Sequence, residues 1–148
     1  MTYSFREDGR LAKGLSYDQY LEILARQAGR DPAGLGAEEA EKIEYTGLNR
    51  HRSARIGRTW EPSPELAAAL AGITQPQTWL VLTEHWCGDS AKCLPCIALM
   101  TQSCPAVMLR ILLRDENLDF MDQFLTDGKR SIPLLAAFDG EGALLFRW

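Results

Sequence analysis

The stretch WLVLTEHWCGDS, residues 79–90, decides how this chain is read. Its first half, Trp79 to Thr83, is a continuous apolar run of strand length. Such a run predicts a strand covered on both faces, and therefore an α/β layering of sheet and helices. The second half puts Cys87 between that strand and a helix expected from about Asp89 to Gln102. Unpaired backbone N–H groups and the dipole at a helix N-terminus favour negative charge, so a thiol there is biased toward the thiolate, the nucleophilic form. Gly88 leaves the approach to sulfur open. Asp89 acts in two directions, since an acid suits the first helical turn while its carboxylate disfavours a neighbouring thiolate. Taken alone, Cys87 also fits a half-buried structural cysteine.

Downstream, VMLRILL at 107–113 is a second strand, and strand, helix, strand predicts parallel pairing with a right-handed crossover. DFMDQFL, 119–125, predicts a short amphipathic helix, and PLLAAF, DGEG, ALLFRW predicts a hairpin with strands near 134–138 and 143–147. Upstream, Ser16 caps a helix with Gln19 at N3 and with Tyr17, Tyr20, Leu21 and Leu24 at helical spacing. A second helix is expected from about Ala37 through Arg55, weakened at Gly47, with Ile43, Leu48 and Ile56 as its apolar positions. After the break at Glu61-Pro62, Ser63 caps and Pro64 opens a short helix over ELAAALAGI. We therefore divide the chain into a helical N-terminal extension, 1–62, and an α/β domain, 63–148. Trp79, Phe120, Phe124 and Phe138 read as core.

The 148 residues suffice for one hydrophobic core. The formal charge of −4, from 16 basic and 20 acidic side chains, gives no global attraction to nucleic acid or anionic membrane. The start, MTYSFREDGR, is polar, and no run approaches the roughly 18 apolar residues of a membrane span, so no export or anchoring signal is expected. All four cysteines fall between Cys87 and Cys104, a pattern that fits reduced thiols in a cytoplasmic protein better than a disulfide scaffold. Arg50, Arg52, Arg55 and Arg58, with His51 among them, are expected to form a solvated face pairing with Glu38, Glu39, Glu41 and Glu44. No Gly-rich phosphate loop, zinc-protease motif or Ser-His-Asp ordering is present, and no cofactor is expected.

Trp86-Cys87-Gly88, the proline Pro95 eight residues after the cysteine, and Ile132-Pro133 opening the last hairpin together resemble the thioredoxin superfamily. LLRDENLDFMDQFL and GKRSIPLL resemble, more specifically, a group of bacterial thioredoxin-family proteins with a helical N-terminal extension. The resemblance spans roughly residues 60–148. It implies a thioredoxin-like fold, a central mixed sheet flanked by helices, with Cys87 as the nucleophile. It also implies a cis bond before Pro133, which puts backbone polar groups beside the thiol where a substrate strand pairs. Trp86, Gly88, Asp89, Ile132 and Pro133 would then line the substrate site.

Ser90 stands where a dithiol thioredoxin has its resolving cysteine, and Asp89 where it has proline. Cycling between Cys87 and residue 90 is thereby excluded; Ser90 can hydrogen-bond a thiolate but cannot displace a mixed disulfide. Val81 replaces the family's buried acid, and Thr83 an active-site tryptophan. Glu84 and His85 offer a substitute local acid or base, but each is expected to be a solvated loop residue. Cys93-Leu-Pro-Cys96 is itself a Cys-x-x-Cys and a rival register for the motif, but it lies inside the helix without a preceding tryptophan, and Cys93, about 9 Å along the axis from Cys87, cannot bridge to it without local unwinding. Cys93 and Cys96 are expected to be small core residues facing the sheet. A zinc set of His85, Cys87, Cys93 and Cys96 is disfavoured because two members are mid-helix, and Cys104 is expected to be a loop cysteine.

These features predict a monothiol thiol-disulfide oxidoreductase acting through Cys87 and Ser90 on a protein disulfide or a low-molecular-weight thiol. The alternative is a non-catalytic binding or adaptor module. The resemblance also implies a helix after the last strand. Either the sequence stops short of it, or the N-terminal extension or a second copy, in a homo-oligomer, covers that face.

Overall fold

The computed structural model describes residues 8–148; the polar start of the chain, up to Glu7, lies outside the described residues. Helices α1 (Arg10–Lys13), α2 (Tyr17–Ala28), α3 (Ala37–Thr59) and α4 (Pro64–Ala71) precede the first strand, β1 (Gln77–Thr83). Helix α5 (Gly88–Gln102) joins β1 to β2 (Val107–Leu113). Helix α6 (Leu118–Met121) and a 3₁₀ turn at Asp122–Phe124 then lead to the hairpin of β3 (Leu134–Asp139) and β4 (Leu144–Arg147).

The apolar run becomes the inner strand of a four-stranded mixed sheet, ordered β2-β1-β3-β4. β1 pairs in parallel with β2 and antiparallel with β3, and β4 pairs antiparallel with β3. The period of two along β1 splits the core into two layers. Trp79 and Val81 join Leu109, Ile111 and Leu135 on one face, covered by Tyr20 and Leu24 of α2 and by Leu94, Ile97 and Ala98 of α5. Leu80 and Leu82 join Leu112, Ala136 and Phe138 on the other, covered by Phe120, Met121 and Phe124. The segment expected as one helix over 119–125 is thus a short helix followed by a 3₁₀ turn. The tighter turn accompanies the burial of all three side chains, with the Phe120 and Phe124 rings 5.1 Å apart.

Local signals account for the helix starts. Ser16 Oγ accepts from the Gln19 backbone N–H at 3.2 Å while Gln19 Oε1 accepts from Ser16 N–H at 2.9 Å, a complete capping box. Ser63 Oγ accepts from Leu66 N–H at 3.2 Å. Just before α2, Leu15 exchanges two 2.8 Å backbone hydrogen bonds with Ile111 and so covers part of the outer edge of β2. Gly14 permits this approach, since a Cβ there would stand 3.0 Å from Cβ of Arg110.

Helix α3 departs from expectation. It runs unbroken through Gly47 to Thr59, and the side chains it buries are Ile43, Thr46, Asn49 and Ser53, while Leu48 is 45% exposed. Its inner face is therefore mostly polar, and it packs on α2 and α5. No helix among the described residues is long and apolar enough to cross a membrane.

Leu24 is 1% exposed and shares its layer with strand residues. We predict that Leu24→Ala costs about 2–5 kcal/mol, read from urea unfolding. A loss well under that range would mean that α2 is not integral to the sheet's packing.

Candidate functional site

Cys87 is the N-cap of α5. Its sulfur accepts from the Ser90 backbone N–H at 3.5 Å, its thiol donates to the Ile132 carbonyl at 3.8 Å, and its own N–H donates to Glu84 O at 3.1 Å. The Ile132–Pro133 peptide bond is cis. Trp86, Cys87, Gly88, Ile132 and Pro133 are half-buried, Asp89 is exposed, and Ser90 is 1% exposed with no hydrogen-bond partner for its hydroxyl among the described residues. The structure thus brings Cys87, Ser90 and Ile132 into one small region at the end of β1.

The polar face of α3 holds this region in place. Asn49 Nδ2 donates to the His85 carbonyl at 3.1 Å. The Thr46 hydroxyl lies 2.6 Å from the Lys42 carbonyl and 3.0 Å from His85 Nδ1. The single hydroxyl hydrogen goes to the carbonyl, so Nδ1 of His85 carries the ring proton and donates to Thr46. Pro95 has no N–H, which deprives the Ala91 carbonyl of its helical partner one turn back. Ser53 Oγ donates to that carbonyl at 3.2 Å. One buried face thereby braces both the loop before Cys87 and the helix after it.

Several expectations need correction. Glu84 and His85 are not solvated loop residues. Glu84 is 5% exposed and its carboxylate accepts from Asp115 N–H at 2.9 Å, tying the end of β1 to the turn after β2. Burial pushes the Glu84 carboxyl above its ordinary range. His85 is half-buried, and desolvation, followed by the charge of Arg30, pushes its imidazole below the ordinary value. Arg52 does not pair with the glutamates of its own helix. It donates to Asn49 Oδ1 at 3.2 Å and stands beside the start of α5, where a Cβ on Gly88 would lie 3.5 Å from its Nη1. Glu38 and Glu39 pair instead with Lys42, at 3.0 and 3.5 Å. Lys42 and Arg114 both stand over the Trp86 ring, 5.6 and 5.4 Å from its centroid, and fix its position from two different elements.

Cys93 and Cys96 are not core residues; the buried positions of α5 are Leu94, Ile97 and Ala98. The two thiols are half-buried and line an open groove of about 490 Å³ together with Trp79, Met100, Phe146 and Trp148. Cys104 is buried, its thiol 3.5 Å from the Leu70 carbonyl. Among the described residues no three of His, Cys, Asp and Glu converge as metal ligands, so His85, Cys87, Cys93 and Cys96 do not form a zinc site.

A family model described as thioredoxin matches residues 36–148, so the chain belongs to the thioredoxin family. The match begins within the N-terminal helices, upstream of the span the motifs suggested. Two solved structures share the fold over 90% of this chain and 76% of their own. A protein of unknown function from Pseudomonas aeruginosa is 25% identical with a TM-score of 0.58, and an HIV epitope scaffold is 25% identical with a TM-score of 0.57. No curated protein matches the chain.

Two outcomes follow from the bracing. Ser53→Ala strands the Ala91 carbonyl and should destabilise the fold by about 1–3 kcal/mol in chemical denaturation. The folded chain resists protonating His85 where the unfolded chain takes up the proton, so this residue's contribution to stability falls as pH drops below the ordinary histidine value of 6.5. Urea midpoints of wild type and His85→Gln should therefore diverge between about pH 7.5 and about pH 5.5, with the wild type losing more; parallel curves would contradict it.

Proposed function

We propose that this protein is a monothiol-type thiol-disulfide oxidoreductase working through Cys87. The observation that carries this reading is the placement of the Cys87 sulfur at the start of α5, half-buried, against the Ser90 N–H and the Ile132 carbonyl. A helix N-terminus favours the thiolate. The thiolate attacks one sulfur of a disulfide, forming a mixed disulfide with Cys87 and releasing the other sulfur as a thiolate that takes a proton from solvent. A second, external thiol then attacks the mixed disulfide, frees Cys87 and carries away the oxidised pair. A reducing compartment contains such thiols. Trp86, Gly88 and Asp89 on one side and Ile132-Pro133 on the other line the approach, and backbone groups beside Pro133 pair with an extended substrate.

The buried Ser90 hydroxyl gives the reading a constructive test. Ser90→Cys puts a second thiol one turn from Cys87 at a position with no polar partner to lose. An intramolecular thiol resolves a mixed disulfide faster than one from solution, so the variant should reduce insulin disulfides about tenfold faster or more. Cys87→Ser should abolish turnover in both backgrounds. Iodoacetamide at neutral pH should label Cys87 ahead of Cys93 and Cys96, whose thiols burial pushes upward; peptide mass spectrometry reads the order.

A binding or adaptor role is the second reading, favoured by Val81, which is fully buried and apolar where the family carries a proton-transferring acid. Wild-type protein that turns over neither insulin nor small mixed disulfides, while still capturing a partner after Cys87→Ser, would favour it.

A further inference from the structure

Helix α5 carries three sulfur side chains that the proposed reaction does not use on one groove. Cys93, Cys96 and Met100 occupy positions i, i+3 and i+7, the spacing that aligns side chains along one helix face. All three line the same groove, which is otherwise built from Trp79, Ile97, Leu135, Phe146 and Trp148. Neither cysteine is in a disulfide, both are partly open to solvent, and the Cys96 thiol donates to the Lys92 carbonyl one turn back at 3.5 Å.

From this cluster we propose a site for a soft monovalent metal ion, Cu(I), with Cys93 and Cys96 as thiolate ligands and Met100 as a thioether. Thiolate and thioether sulfurs select Cu(I) over harder ions. Structural zinc sites are almost always closed by four ligands, and no third thiol, histidine or carboxylate converges here. Cβ atoms one turn apart on a helix stand about 5–6 Å from each other, a span that two sulfurs can close on a single ion. The walls of the groove beside the sulfurs are mostly apolar, from Trp79, Ile97, Leu135, Phe146 and Trp148, and offer no carboxylate or imidazole to compete with sulfur. Binding releases the two thiol protons to solvent, and the ion enters and stays as Cu(I), so no electron is transferred. The resulting bis-thiolate centre carries one negative charge, and Lys92, which lines the same groove, is the cation nearest to offset it.

The proposed ligands take no part in the Cys87 reaction, although Cys93 also borders a small pocket with Asp89 and Pro133; the Cys87→Ser variant keeps the two readings distinguishable. The full chain, reduced and kept anaerobic, is titrated with Cu(I) against bicinchoninate, a chromophoric chelator of Cu(I). Wild type and Cys87→Ser should both withdraw about one ion per chain. Cys93→Ser and Cys96→Ser should each lower the affinity about tenfold or more, and Met100→Leu should weaken it several-fold, with unchanged circular dichroism confirming the fold. X-ray absorption of the loaded protein should show sulfur neighbours only. Retention of full affinity after Cys93→Ser or Cys96→Ser, or loss of the ion in Cys87→Ser alone, would overturn the site.

Discussion

Burial of β1 on both faces is the constraint on which the rest depends. A strand with no solvent-facing side chains over its last six residues has to sit inside a sheet with a layer on each side. The chain leaves such a strand at its end and enters a helix, and Cys87 stands at that exchange. The register of β1 against β3 then brings the start of the last hairpin alongside, with Leu82 opposite Leu134, so that the Ile132 carbonyl meets the sulfur. The thiol's environment is thus set by strand pairing and helix entry more than by the surrounding loop.

The second determinant is a compensation. A proline inside α5 leaves a carbonyl unpaired, and a buried, unpaired carbonyl is costly. Ser53 meets it from α3, and Asn49 and Thr46 on the same face meet the carbonyl and ring of His85. These bonds explain how a helix with a largely polar inner face can pack against the core at all: its buried groups find partners on the segment that carries Cys87. The helices before the sheet are therefore part of what positions the candidate site.

The sheet, the placement of Cys87 and most helix starts were legible because each rests on a local rule: an uninterrupted apolar run, a Ser with Gln three residues on, a Ser-Pro start. The family was legible from Trp86-Cys87-Gly88, Pro95 and Ile132-Pro133. What escaped was set by tertiary pairing. A search for apolar periodicity in α3 picks Leu48, which is exposed, and passes over Thr46, Asn49 and Ser53, whose spacing of three and four residues is the same signal in polar form. Glu84 and His85 look like solvated charges because their partners, Asp115 and Thr46, are distant in sequence. Arg52 looks like one of a charged row until Asn49 and Gly88 draw it to the helix start. Cys93 and Cys96 look like core residues from their helical spacing, but Leu94, Ile97 and Ala98 fill the buried positions of α5 and leave the two thiols half-buried in the groove.

The two margins of the sheet are finished differently. Leu15 stitches the β2 side to the chain ahead of α2, whereas β4 is the last strand of the ladder, continued only by the paired backbone of Trp148. The margins are unequal as a result: an extended segment approaching β2 meets Leu15 bonded at Ile111, whereas no strand among the described residues pairs with the far side of β4. Lateral growth of this architecture is more open on the β4 side.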